Sequence, residues 1–263
     1  MKILLNIIFL LISLFINDYE LINTVKVQGN NFKTDLFENV YIVNNQSIIK
    51  YNDAGAKLFT YVDNNLGYIN YLDVSDPLRI LVFYKDFNQL LFLDKTLSII
   101  GSPILLDNLG FNQVDLACSS NTGGFWIYNS QTNQLILIDK NLQIKQQSIS
   151  INSILQGNSK PNYLIEKNDY VYLNIPETGI IIFDKFGTYN KTVPIQKLNS
   201  FQIISNNIIY FKNNKLFNYN PTLISEKSMD IPDTLNVRNA RIEQNKLFIF
   251  KEDQFSIYRE NKK

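Results

Sequence analysis

The chain has 263 residues, 45% of them hydrophobic and 13% aromatic, with 25 Lys and Arg against 24 Asp and Glu. A formal net charge of +1, with the two signs interspersed, argues against a surface that holds nucleic acid by displacing counterions. His is absent and Cys118 is the lone cysteine, which excludes imidazole chemistry and any intramolecular disulfide.

In chain order, Lys2 precedes an apolar run over 3–16, broken only by Asn6 and Ser13 and closed by Asn17-Asp18-Tyr19-Glu20. A basic residue ahead of an apolar stretch of this length predicts a secretory signal over 1–17, although no small-x-small motif fixes a cleavage site. The run falls short of the roughly 20 apolar residues of a membrane-spanning helix. No cysteine follows it to carry a lipid. The expectation is an exported protein that is not an integral membrane protein; a buried first strand or helix is the alternative.

Residues 21–27 read as an isolated strand. After them, short apolar strands ending in Asp or Asn return through the chain, at 48–52, 90–94, 135–139, 180–184 and 216–220, and once more at 255–259. The anchors 52, 94, 139, 184, 220 and 259 are 42, 45, 45, 36 and 39 residues apart. Strands repeating at this period are the mark of propeller blades.

Blade one takes strands at 40–43, 47–51 and 57–62, joined by Asn-rich turns that tolerate positive φ. Blades two to five supply four strands each, beginning near 68, 113, 163 and 201. Blade six offers 240–242, 246–250 and 254–258 and is one strand short. The strand at 21–27 can fill that gap and remove two exposed sheet edges at once. The predicted fold is therefore all-β: a single domain over 21–263 forming a six-bladed propeller, its last blade closed by an N-terminal strand. A β-sandwich or β-helix is the structural alternative. On repeat length and strand order the chain resembles six-bladed β-propellers of the broad NHL/TolB-like kind.

Propellers usually work from the loops and strand ends at one mouth of the channel. Asp73 and Asp76, in Asp73-Val74-Ser75-Asp76-Pro77, are the densest candidate there: two carboxylates that can ligate a hard cation, or that shape an ordinary turn. Asp94, Asp139 and Asp184 recur ahead of Lys95, Lys140 and Lys185, which suits a structural role in hairpins rather than catalysis. Tyr68, Tyr71 and Tyr84 are candidate rim aromatics for a small ligand or glycan. Gly123-Gly124 ahead of Trp126 reads as a turn that delivers a core aromatic. Cys118, in a strand-like run and with no His for a base, reads as a buried hydrophobe.

No nucleophile elbow or phosphate-cradling loop is present. The expectation is a chain without catalytic activity, cofactor or metal: an exported, monomeric propeller of the periplasm or outer-membrane surface that binds another envelope or outer-membrane protein. High Ile, Asn and Lys usage suits a bacterial source, and the chain resembles envelope propellers of Gram-negative bacteria. The alternative is a metal-dependent hydrolase or lactonase at the channel mouth, as the resemblance to gluconolactonase-like six-bladed rings implies; three converging inward carboxylate or Asn oxygens would mark it.

Overall fold

The computed structural model describes residues 18–155 and 160–261. The signal expected over 1–17 lies outside the described residues. Six four-stranded antiparallel sheets follow one another around a ring. Blade one is β2 (Asn31–Thr34), β3 (Val40–Asn44), β4 (Ser47–Tyr51) and β5 (Lys57–Val62). Blade two is β6 (Tyr71–Asp73), β7 (Ile80–Tyr84), β8 (Gln89–Leu93) and β9 (Ile99–Leu105). Blade three is β10 (Val114–Ser119), β11 (Phe125–Asn129), β12 (Gln134–Ile138) and β13 (Ile144–Gln147). Blade four holds β14 (Tyr163–Lys167), β15 (Tyr170–Ile175), β16 (Gly179–Asp184) and β17 (Tyr189–Val193). Blade five holds β18 (Gln202–Ile204), β19 (Asn207–Lys212), β20 (Lys215–Asn220) and β21 (Ser225–Asp230).

The sixth blade combines β22 (Asn239–Glu243), β23 (Lys246–Phe250) and β24 (Gln254–Glu260) with β1 (Tyr19–Lys26). β1 lies antiparallel to β24, from Tyr19 opposite Glu260 to Lys26 opposite Gln254, with a bulge between Leu21 and Asn23. Thr24 and Ser256 hydroxyls meet at 2.9 Å across the seam. The ring is a six-bladed propeller of the kind the repeat predicts, closed where the sixth blade lacked a strand. One element departs from the sequence reading: β2 was not foreseen. Asn31-Phe32-Lys33-Thr34 is short and polar at alternate positions because it lines the channel, so it lacks the apolar run that marked the other strands.

Period-two alternation distributes the core between blades. In β3, Tyr41 and Val43 pack toward Leu72, Ile80 and Val82 of blade two. Val40 and Ile42 of the same strand pack toward Phe248, Phe250 and Ile257 of blade six. Middle strands are thus buried on both faces and read as continuous apolar runs, β7 as Ile-Leu-Val-Phe-Tyr and β11 as Phe-Trp-Ile-Tyr-Asn. The outer strand β5 instead exposes five of its six residues. Ile49, Phe211 and Phe217, apolar residues of middle strands, are only half-buried.

The recurrent Asp turns are structural. Asp94 Oδ1 accepts the N–H groups of Thr96 and Ser98 at 2.7 and 2.9 Å. Asp139 does the same for Asn141 and Gln143, and Asp184 for Phe186 and Thr188. Asn52 fills this place in blade one, toward Ala54 and Ala56. Gly124 is required by close approach: a Cβ there would lie 2.0 Å from the Ile138 carbonyl oxygen. Cys118 and Trp126 are fully buried.

Candidate functional site

Antiparallel order sends every inner strand through the ring in the same direction, so the channel has one mouth where inner strands begin and another where they end. Two cavities occupy these mouths. The one at the strand starts, about 460 Å³, is bordered by Asn30, Asn31, Asn70, Asn162, Asn199 and Asn239, which come from five different blades. The one at the strand ends is about 70 Å³ and is lined by Thr34, Asp35, Asp73, Lys167, Gln202, Arg241 and Glu243, among others. Lys33 and Tyr163 border both and form the partition between them.

Lys33 is 6% exposed. Its Nζ lies 4.3 Å from the centre of the Tyr163 ring and 5.3 Å from that of Tyr71. Among the described residues no carboxylate comes within ion-pairing distance of it. Burial pulls its amine down to about 7; Arg241 pushes in the same direction and Asp73 opposes. Burial likewise raises the Tyr163 phenol to about 12 and the Tyr71 phenol well above its usual range. Tyr71 donates its hydroxyl hydrogen to the Leu164 carbonyl of blade four.

The strand-end mouth is a connected polar network that also fastens neighbouring blades. Arg241 Nε donates to Thr34 Oγ1 at 2.8 Å, and that hydroxyl donates to Glu243 Oε1 at 2.6 Å. Gln202 Nε2 reaches the same carboxylate oxygen at 2.7 Å. Burial raises the Glu243 carboxyl above its usual range, against the pull of Arg241 and Thr34. Asp35 accepts the Phe37 and Asn39 N–H groups and the Tyr41 hydroxyl. One blade pair further on, Glu166 Oε2 accepts the Trp126 indole N–H at 2.7 Å, and its other oxygen takes Asn121 N–H at 3.3 Å.

Asp73 is buried at the strand-end mouth, where its two oxygens accept the N–H groups of Ser75 and Ser119 at 2.9 and 2.8 Å. Asp76 is exposed and accepts Leu78 N–H at 3.0 Å, as a turn residue does. The two therefore do not converge. Among the described residues no three His, Cys, Asp or Glu side chains gather as a metal cage would require. Tyr68 is exposed, Tyr71 lies in the channel wall, and Tyr84 is fully buried with its hydroxyl 3.0 Å from that of Tyr61. The three rings thus occupy three different environments. Burial drives the Cys118 thiol well above its usual range, with Asp73 and Glu166 adding to the shift.

Sequence reasoning missed Lys33, Tyr163, Arg241 and Glu243, which stand on the short inner strands. The ring of carboxamides did leave a trace. An Asn precedes or opens the inner strand at 31, 70, 162 and 239, with Asn199 just ahead of β18.

No protein-family model matches the chain, and no curated protein matches it in sequence. Solved structures share its fold. A catalytically inactive virginiamycin B lyase from Staphylococcus aureus, solved with quinupristin, has a TM-score of 0.62 at 12% identity, over 92% of this chain and 99% of the lyase. The Pan2 WD40 domain of Neurospora crassa scores 0.60 at 10% identity, over 94% and 96%. BamB from Moraxella catarrhalis scores 0.50 at 8% identity, over 92% and 99%. Identities this low establish the fold alone. They still correct one expectation, that of a chain without catalytic activity. Virginiamycin B lyases are built on this ring over nearly their whole length, so missing sequence motifs do not exclude catalysis.

Proposed function

We propose that the chain is an exported propeller of the bacterial cell envelope that binds a partner protein with the end of the disc on which its inner strands finish. The observation that carries this reading is a set of exposed apolar side chains on that end. Leu36 and Phe37 are 44% and 55% exposed in the β2–β3 loop, and Leu78 is 57% exposed in the β6–β7 loop. Phe186, Leu223 and Ile224, at 57%, 73% and 78%, stand in the corresponding loops before the outer strands of blades four and five. Rigid blades hold these loops in one plane, which suits a multi-loop protein contact with apolar anchors. Export rests on Lys2 and the apolar run over 3–16. No helix among the described residues is long and apolar enough to cross a membrane. Chemistry at the opposite mouth is compatible with this reading, because the two ends are separate surfaces.

The test is an affinity pull-down from cross-linked envelopes with the tagged chain and with a Phe37→Asp, Leu78→Asp double variant. A stoichiometric partner recovered by the first and lost by the second is the expected result. Recovery of the same partner by the folded variant would remove the assignment to this end.

A further inference from the structure

We propose that the mouth at which the inner strands begin is a binding site for an acidic sugar: a uronate-type ring whose carboxylate meets Lys33 and whose hydroxyls meet the surrounding carboxamides. This site is at the opposite end from the protein-binding face proposed above and does not depend on it.

The cavity of about 460 Å³ falls within the roughly 300–1,000 Å³ typical of small-ligand sites. Its rim is a carboxamide ring, and each carboxamide offers both donors and an acceptor, as vicinal hydroxyls require. Asn162 is committed to Leu198 and Asn174, and Asn70 Oδ1 to the Lys85 N–H. The side chains of Asn30, Asn199 and Asn239, by contrast, make no hydrogen bond to a described residue and are free to meet a ligand. Beneath them Phe32, Tyr71 and Tyr163 present apolar faces suited to the C–H sides of a pyranose.

Charge selects an acid over a neutral sugar. The cavity is bordered by Lys33 and Arg238 and by no carboxylate. Arg238 is already paired with Glu252 at 3.0 Å. Lys33 is not paired: it is more than nine-tenths buried, borders the cavity floor, and its Nζ stands over the Tyr71 and Tyr163 rings with no carboxylate of a described residue within ion-pairing distance. A desolvated ammonium without a counter-ion is costly, and an incoming carboxylate supplies what the fold omits.

The groups facing Lys33 are Asp73 and Tyr71 from β6, Tyr163 from β14, Arg241 from β22 and, behind the tyrosines, Cys118 from β10. Burial keeps the two phenols and the thiol protonated near neutrality. Affinity for a carboxylate should therefore fall as pH rises through about 7, where the amine gives up its proton.

Isothermal titration of the full chain with glucuronate, galacturonate, glucose and acetate tests this. A uronate is expected to bind at least ten-fold tighter than either glucose or acetate, and more weakly at pH 8.5 than at pH 6. Lys33→Met should lower uronate affinity at least ten-fold and leave glucose unchanged. Should that variant fail to fold, Asn199→Ala with Asn239→Ala on the exposed rim should weaken uronate and not acetate. Tighter binding of a uronate-ended oligosaccharide would identify the source as a polymer end, and equal binding as the free sugar. Acetate matching the uronates, an unchanged Lys33→Met, or no uronate binding at millimolar concentration would each overturn the proposal.

Discussion

Lys33 of blade one and Tyr163 of blade four face each other across the channel, the ammonium nitrogen 4.3 Å from the ring centre, and their contact divides the channel into two separate chambers. A cation–π contact offsets part of the cost of burying the amine but does not replace water or a counter-ion.

That cost has a pH signature. Burial lowers the Lys33 amine to about 7 in the folded chain, whereas the unfolded chain keeps it near the ordinary lysine value. Between roughly pH 7 and 10 the unfolded state holds more protons, so this group makes stability rise with pH, by at most about 1.4 kcal/mol per unit. Comparing urea midpoints of the wild type and Lys33→Met at pH 6 and pH 9 checks it. The variant should gain most at pH 6, and equal gains at both would show that the folded amine titrates normally.

Removing the closing strand should destabilise the whole ring. Deletion of residues 19–26 exposes β24 on one side and unseats the edge of blade six. We expect a melting temperature lower by more than 10 °C, in keeping with the roughly 4 °C or less that 1 kcal/mol shifts a domain of this size. An unchanged transition would mean that the seam contributes nothing.

Glu166 should matter more than its lack of any sequence motif suggests. Glu166→Ala leaves the buried Trp126 indole N–H without an acceptor, while the N–H of exposed Asn121 turns to water, a loss of about 1–3 kcal/mol. Glu166→Gln keeps an acceptor for one of them and should lose less. Trp126 is the only tryptophan, so its emission reports the change directly in a denaturant titration.

The hairpin acids give a subtler contrast. Asp139→Ala should lower the melting temperature by a few degrees, while Asp139→Asn should be nearly neutral, because Asn52 already performs the same double acceptance in blade one. The backbone N–H of Gln143, first, and then Lys145 and Asn141 hold the Asp139 carboxyl below its usual range. Its contribution is thus present above about pH 4 and disappears as pH falls through the folded value. Equal melting temperatures for wild type and Asp139→Ala at pH 7 would refute the assignment.

Blades were legible because their middle strands are covered on both faces. Ile80 to Tyr84 and Phe125 to Asn129 are wholly buried, so their apolar runs stood out, and the Asp turns after the third strands marked the period. The seam was legible by subtraction, since 21–27 paired with nothing in blade one. The channel was not. Its walls are strands of three to six residues carrying Lys33, Asp73, Glu166 and Arg241, whose polarity reads as loop when the partner across the ring is unknown. Tyr84 shows the converse: its environment depends on Tyr61 in the neighbouring blade, a contact no local pattern encodes.

The β1–β24 seam also sets an order of events during synthesis. Thr24 must wait for Ser256, 232 residues later, before the sixth blade can be completed. Until then blade one has no neighbour on its open side, and Val40, Ile42 and Phe32 face solvent in place of Phe248 and Phe250. Contacts this distant along the chain make ring formation slow relative to individual hairpins. Until β24 emerges the nascent polypeptide is therefore an open arc of sheets, and that strand acts as the latch.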